Sequence, residues 1–580
     1  MKKIYNILAL AAVTTGLSSC VNNWLDQTPS NGTPTSSAIT NYNDARTAMY
    51  GMYDGLQGNS TYTQYYAARM FYYGDVRGDD MQARTQGMRT SSCYEMRYTA
   101  DDAPNMWNIQ YNVIRRANRL IEAVDNKTIT DAENFQAELA NIYNQAKVIR
   151  ALVHFDLVKV YGMPYTYDEG ASLGVPFVDK PLDRDAQPGR DKVADVYAKV
   201  VADLNNAIDS EALTVSQKAG EKQGYIDLWA AKALLCRVYL YMNKNQEAFD
   251  LAKEIINDSP YELWTPEQYA EAWDKQDPNH TKEMIFELIN NGSDDWADRE
   301  GIGYLLNEQG YADAICTKSF VDMLQTDPAD VRNEVVLPAM YDKDLKKTYG
   351  ENPIFINKFP LGALGDMRLA NLPILRLSEV YLNAAEAAAK LGGAAKAEGI
   401  KYLNDLLDKR TKTPTAKVSD AIADDEFLSK VLIERRKELV GEGQRFFDAM
   451  RNNETIVRYS SEENQGWHYS LLKESQSFDR TYTKALLPIP VALLAGVESA
   501  VLNAGLMGYN GVLCAIALGD KTWSGGVYAV FSVLLSVFLQ LLGMDVGITT
   551  LTAPFVFSVW ITVGIRYMLL TLFPAKRKVA

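Results

Sequence analysis

Leu228-Trp229-Ala230-Ala231-Lys232-Ala233-Leu234-Leu235-Cys236-Arg237-Val238-Tyr239-Leu240-Tyr241, running on through Ala248 and Ala252 to Pro260, is the stretch that decides the fold. Leu235, Tyr239, Ala248, Ala252 and Pro260 fall at the offsets of a tetratricopeptide unit, two antiparallel helices that cross at small residues. Tyr381 to Lys409 is a looser second copy, in which Ala384-Ala385-Glu386-Ala387-Ala388-Ala389 allows close helix approach. One such unit cannot bury its apolar face alone, so the body is expected to be a stack of helices.

Outward from that stretch the same period recurs. From Asn43, Ala45, Ala48, Met49, Met52, Tyr53 and Leu56 share one helical face. Trp107 to Val124 carries a stripe of Trp107, Tyr111, Ile114, Ala117 and Ile121. Ala132 to Tyr161 reads as a long helix, with Asp131 placed as its N-cap and Gly162-Met163-Pro164 as its stop. Asp191 to Ile208 is amphipathic. Phe71 to Tyr98 has no clean period, is dense in Arg, Asp, Gly and Tyr, and reads as a functional loop region. Convincing strands are scarce. The expected class is mainly α: a tetratricopeptide-like helical repeat scaffold with long irregular loop insertions, followed by an apolar, transmembrane-like helical tail.

The N-terminus sets the address. Lys2-Lys3, an apolar run from Ile7 to Leu17 and then Ser18-Ser19-Cys20 form an export signal too short to span a bilayer. Leu17-Ser18-Ser19-Cys20 resembles the bacterial lipobox, which makes Cys20 the expected lipid anchor. Val21 to Thr40, polar and rich in Asn, Thr, Ser and Pro, is the tether behind it.

Composition excludes several functions. A net charge of -14 argues against a nucleic-acid partner, whose phosphates would be repelled. Cys93, Cys236, Cys316 and Cys514 are widely spaced, and the three histidines (His154, His280, His468) lie far apart, so neither a zinc site nor a disulfide framework is indicated. No cofactor is expected. Glu434 to Arg451 sets opposite charges three and four apart, which reads as a ladder of ion pairs on a helix rather than as catalysis. Asp79-Asp80 and Asp294-Asp295 are adjacent carboxylates, a spacing that does not by itself give the separation of a glycosidase pair. No nucleophile, zinc-helix or phosphate-loop motif is present.

Several marks then align with one family. They are Trp24-Leu25-Asp26-Gln27-Thr28-Pro29 soon after Cys20, Trp107 with Tyr111, Ile114 and Ala117-Asn118, and Lys147-Val148-Ile149-Arg150-Ala151 leading to Tyr161-Gly162-Met163-Pro164. Ala230 to Tyr241 and Leu375 to Leu382 follow. Then come Ile433-Glu434-Arg435-Arg436-Lys437-Glu438-Leu439, Gly441-Glu442-Gly443-Gln444-Arg445, Asp448-Ala449-Met450-Arg451 and Leu486-Leu487-Pro488-Ile489-Pro490. In this order they resemble the SusD/RagB family of nutrient-binding outer-membrane lipoproteins across residues 20–490. The resemblance implies a signal peptide at 1–19, an N-terminal region at 20–225 and a C-terminal region with the repeat helices at 226–490. It also implies glycan capture by loop aromatics and a SusC-like TonB-dependent outer-membrane transporter as partner.

Sugar rings lie their C–H faces on aromatic planes, while Arg, Asn and Asp bond the hydroxyls. Two irregular stretches supply such sets. One holds Tyr72, Tyr73, Arg77, Asp80, Tyr94 and Tyr98; the other holds Asn290, Asn291, Trp296, Tyr304 and Tyr311. Trp296 is the foremost ligand candidate, because it sits in a polar Gly-Ser-Asp loop without helical neighbours.

Beyond Pro490 the composition changes. Val527 to Met544 and Val546 to Ile565 are apolar runs of spanning length, Val491 to Leu518 is a third candidate, and Lys576-Arg577-Lys578 suits a cytoplasmic end. Gly508 to Gly519 and Thr552-Ala553-Pro554-Phe555 resemble the end of a bacterial urea transporter, with Ile548-Thr549 where that family has Leu-Pro. Residues 491–580 thus read as a fused fragment, genuine or produced by recombination or assembly. Three functions follow: a non-catalytic glycan- or nutrient-binding lipoprotein of the outer membrane, an inner-membrane fusion with a partial urea channel, or a secreted carbohydrate-active enzyme. The first agrees with the longer part of the chain.

Overall fold

A computed structural model describes residues 38–58, 65–84, 89–97, 102–183, 186–222, 224–290, 300–338, 354–360, 365–413, 417–459 and 471–487, with short stretches between 527 and 565. The expected signal peptide and the expected anchor Cys20 lie outside the described residues.

The body is helical. Its main helices are α1 (Tyr42–Gln57), α2 (Arg69–Asp75), α3 (Asp102–Asp125), α4 (Gln136–Tyr161), α5 (Val193–Asp209), α6 (Leu228–Tyr241) and α7 (Asn245–Asp258). After them come α8 (Ile302–Leu306), α9 (Leu377–Leu391), α10 (Gly393–Asp408), α11 (Asp424–Leu439) and α12 (Arg445–Arg451). Sequential neighbours pack on one another: α3 on α4, α4 on α5, α5 on α6, α6 on α7, then α7 on α9 and α9 on α10. This is the stacked-pair arrangement that the repeat spacing implied.

Local chemistry accounts for the two repeat units. Asp227 caps α6 by accepting from Ala230 N at 2.8 Å, and Ser216 Oγ fixes its other oxygen. The α6–α7 turn passes through Asn243 at φ +58, a left-handed position that asparagine tolerates. In the second unit a Cβ on Gly399 would lie 2.4 Å from Ala388 Cβ, so the alanine run and this glycine set how closely α9 and α10 approach.

α4 is buried on nearly every face from Leu139 onward, which is why its sequence shows no single apolar stripe. Arg150 within it binds Asp203 of α5 through Nε and Nη2 (2.8 and 2.7 Å) and Asn118 of α3 through Nη1 (2.8 Å), joining three helices. Asp131 does not cap α4. Its carboxylate accepts from Tyr42 N at 2.8 Å and so serves the start of α1 instead.

The charge run at 434–451 is not mainly a helix-surface ladder. Lys437–Glu434 and Arg451–Asp448 pair locally. Arg435 pairs with Asp448 from α11 to α12, and most of the rest reach more distant parts of the fold: Glu438 to Arg376 and Arg410, Glu434 to Arg332 and Arg445 to Asp79, all buried, and the half-buried Arg436 to Asp80. Three- and four-residue spacing reveals which charges could meet along one helix, but not partners brought in from elsewhere.

Among the described residues strands are short and occur as four antiparallel pairs. β1 (Met81–Ala83) pairs with β3 (Ala314–Cys316), β2 (Met284–Leu288) with β6 (Leu372–Arg376), β4 (Val336–Pro338) with β5 (Ile354–Ile356), and β7 (Ile456–Val457) with β8 (Ser477–Phe478). The aperiodic Phe71–Tyr98 stretch therefore contains ordered pieces, α2 and β1 among them. α2 crosses the Gly441–Gly443 turn so closely that a Cβ on Gly74 would sit 1.8 Å from Gly443 O.

In the tail, Ser532, Ser536, Ser558 and Thr562 are buried, whereas Val530, Leu534, Phe538, Phe557 and Trp560 are exposed. Among the described residues no helix is long and apolar enough to cross a membrane, so the expected spanning tail shows no span there. Val491–Leu518 and large parts of the other two expected spans lie outside the described residues.

Candidate functional site

Pairing of β1 with β3 brings Arg84 and Arg89 against the segment Glu300–Asp313, more than two hundred residues later. Arg84 N donates to Asp313 O at 2.8 Å, and Arg84 Nη2 donates to Tyr311 O at 3.3 Å. α8 carries Tyr304, and the chain then doubles back so that Tyr311 N donates to Tyr304 O at 2.9 Å. The turn requires Gly310, where a Cβ would lie 2.0 Å from Tyr304 O. Ala312 follows in a left-handed conformation at φ +50, a local strain of the kind that gathers at binding sites.

The result is a small aromatic platform. The rings of Tyr304 and Tyr311 meet edge to face, with centroids 4.9 Å apart and planes at 83°. Both residues are half-buried. Arg89 lies over the Tyr311 ring, its guanidinium carbon 3.6 Å from the centroid. Its Nε and Nη2 bond the two oxygens of Glu300 at 2.5 and 2.6 Å, and its backbone N donates to Asp313 Oδ2 at 3.2 Å. The bond to Glu300 raises the guanidinium further above its usual range. Burial pushes the Asp313 carboxyl up, against the lowering effect of Arg89. On the other side, Gly303 of α8 packs on Met367 and Ala370, and Arg368, doubly bonded to Asp366, lies within electrostatic reach of Tyr304.

Lys275 ties the base of this region together. Its ammonium donates to Asn290 O at 2.9 Å and Asn371 Oδ1 at 3.1 Å, and it also bonds Leu369 O. Burial pushes Lys275 down to about 8, with Glu287 acting in the opposite direction.

The expected ligand residues divide into three groups. Tyr304 and Tyr311 come together on the platform. Trp296, Asn291 and Tyr98 lie outside the described residues. Arg77, Asp80, Tyr94 and Asn290 are interior, at 0, 1, 0 and 4 % exposure, and face protein rather than solvent. Arg77 donates to Tyr73 O and Ala485 O beneath the Phe446 ring. Asp80 pairs with Arg436, Tyr94 packs against Arg458, and Asn290 bonds Gln57 and Ala370 O. Tyr72 and Tyr73 are buried as well. No sequence period relates Arg89, Glu300, Asp313 and Arg368: the β1–β3 pairing brings Arg89 to Glu300 and Asp313, and the packing of α8 on Met367 and Ala370 adds Arg368.

Elsewhere, a small open cleft lies between the end of α4 and α12, lined by Tyr165, Tyr197, Tyr241 and Phe447 among others. Among the described residues no group of three or more His, Cys, Asp or Glu side chains is arranged to hold a metal ion.

Comparison with known proteins accords with this architecture. A model of the SusD family matches residues 195–498, and a second, described as starch-binding associating with outer membrane, matches residues 23–240. A urea transporter model matches residues 482–567. SusD-like protein P25 of Formosa agariphila is 22 % identical over 500 residues, covering 77 % of this chain and 90 % of that protein. Two crystal structures of SusD superfamily proteins are more alike in sequence. The one from Bacteroides thetaiotaomicron is 36 % identical with a TM-score of 0.70, covering 79 % of this chain and 99 % of that one. The one from Bacteroides vulgatus is 33 % identical with a TM-score of 0.69, covering 79 % and 98 %.

Proposed function

The chain belongs to the SusD family, and from that premise we propose that it is a non-catalytic glycan-binding lipoprotein of the outer membrane. It is anchored through Cys20 and passes its ligand to a SusC-like TonB-dependent transporter. The observation that carries the reading is the Tyr304–Tyr311 platform capped by Arg89, a pair of half-buried aromatic rings with hydrogen-bonding groups at its rim. Aromatic planes take the C–H faces of a sugar, and the surrounding guanidinium and carboxylate groups bond its hydroxyls. The match of residues 23–240 to the starch-binding, outer-membrane-associated family supports the ligand class and the compartment. Trp296, in the sequence between Asn290 and Glu300, is the proposed third aromatic contact.

The test is calorimetric titration of the full chain with oligosaccharides, together with assay of reducing-end release. Saturable binding without release is expected. Tyr304→Ala, Tyr311→Ala and Trp296→Ala should each weaken it by more than about 1 kcal/mol, the threshold of an energetically dominant contact. Absence of saturable binding across a broad glycan panel overturns the reading, and turnover of a bound glycan replaces it with the enzymatic one. Loss of membrane association in Cys20→Ser tests the anchor, and co-purification with a TonB-dependent transporter tests the partner.

A further inference from the structure

We propose that the glycan held at the Tyr304–Tyr311 platform is neutral, recognised through its hydroxyl groups and not through carboxylate or sulfate substituents. This rests on the glycan-binding reading above and narrows it.

Among the described residues, the cationic side chains at the platform are already committed. Arg89 is engaged by both oxygens of Glu300, at 2.5 and 2.6 Å, and faces Asp313 at 3.9 Å. Arg368 is held by Asp366, with Nε 2.9 Å from each carboxylate oxygen and Nη2 bonded to one of them. Arg84 is turned inward to Tyr311 O. Paired guanidinium–carboxylate bonds of this kind are among the strongest a protein surface makes. A sugar carboxylate or sulfate would have to displace Glu300 or Asp366, or else lie beside them uncompensated. The chain's net charge of -14 adds a long-range repulsion against polyanions.

A hydroxyl meets no such conflict. It donates and accepts at once, so it can take an outer N–H of a paired guanidinium or give its proton to a spare carboxylate lone pair without breaking the pair. With both polar functions set beside two aromatic rings, the platform suits a polyhydroxylated, uncharged ring. Arg89 thus acts as a flat, neutralised cover on Tyr311 and not as an anion receptor.

The experiment is a binding comparison of the full chain on an array of neutral oligosaccharides and their uronic-acid and sulfated counterparts, repeated with Tyr304→Ala and Glu300→Gln. Glycans whose binding depends on Tyr304 should be neutral, and adding one uronate or sulfate should weaken binding at least tenfold. Glu300→Gln, which frees Arg89, should narrow that gap. An anionic glycan bound in a Tyr304-dependent way as tightly as its neutral counterpart overturns the inference while leaving the glycan reading intact. Binding that ignores Tyr304, or no binding at all, overturns the platform reading and this inference with it.

Discussion

The guanidinium of Arg376 stands 2.6 Å from the carboxylate of Glu438, with both side chains buried where β6 meets α11. Arg410 reaches the same carboxylate at 3.0 Å and Arg332 at 3.5 Å. Burial alone would raise the Glu438 carboxyl, but Arg410, Arg376 and Arg332 hold it well below the usual carboxylate range. Glu438→Gln leaves three buried guanidiniums short of a counter-charge. Loss of one partner of a buried pair typically costs about 3–5 kcal/mol. A fall of that size is expected in urea denaturation; a change below about 1 kcal/mol would mean that water already screens the cluster.

His154 makes stability depend on acid. Its Nδ1 lies 2.9 Å from Arg150 O and its Nε2 accepts from Val178 N at 3.0 Å, an arrangement that needs the neutral ring. Burial pushes the imidazole down to about 3, whereas an exposed histidine titrates near 6.5. The folded pKa is the lower one, so this contribution is complete above about pH 6.5 and is lost as pH falls toward 3. The stability gap between the native chain and His154→Gln should therefore shrink between pH 7 and pH 4. A gap that stays constant contradicts the assignment.

Gly74→Ala tests the closest backbone crossing. The added carbon would lie 1.8 Å from Gly443 O, which is backbone and cannot swing aside. Gly443 itself is at φ +77, and its N donates to Asp75 Oδ2 at 2.7 Å, so the turn is held from both sides. Overpacking of this kind costs about 1–3 kcal/mol. A lowered melting midpoint is expected, and an unchanged midpoint would show that α2 can shift off the turn.

Much of the scaffold was legible in the sequence, and the reason is local. Helical period, the alanine run at 384–389 and the Gly162-Met163-Pro164 stop are short-range signals, and each marks an element found in the structure. What failed were inferences about direction. Asp131 stood before a helix but serves α1, and Arg77, Asp80 and Tyr94 occupy a polar stretch yet point inward, because their partners come from distant parts of the chain. Of the platform, the two tyrosines were visible as aromatics in an irregular stretch. Arg89 and Glu300 were not, since a three-residue strand pairing is too brief to leave a recognisable pattern.

Lys275→Met should loosen the base of the platform without unfolding the body. The ammonium joins Asn290, Leu369 and Asn371, and α8 rests on the segment containing the latter two. Hydrogen bonds from a charged donor contribute about 1.5–3 kcal/mol. Amide exchange at 288–290 and 367–371 should accelerate correspondingly, with glycan affinity falling alongside. Faster exchange with unaltered affinity would separate the clamp from the binding surface.

Arg445 bonds Asp79 across 366 residues of chain, and Arg436 bonds Asp80 across 356. A ribosome adds about 5–20 residues per second, so the two aspartates are made roughly 20–70 s before their arginines exist. Throughout that interval Asp79 and Asp80 are without these two guanidiniums, although β1 can pair with β3 once residues 314–316 are made. The joint is completed only when residues 430–450 are made, which makes them the closing step for a contact whose other half is laid down at residues 79–80.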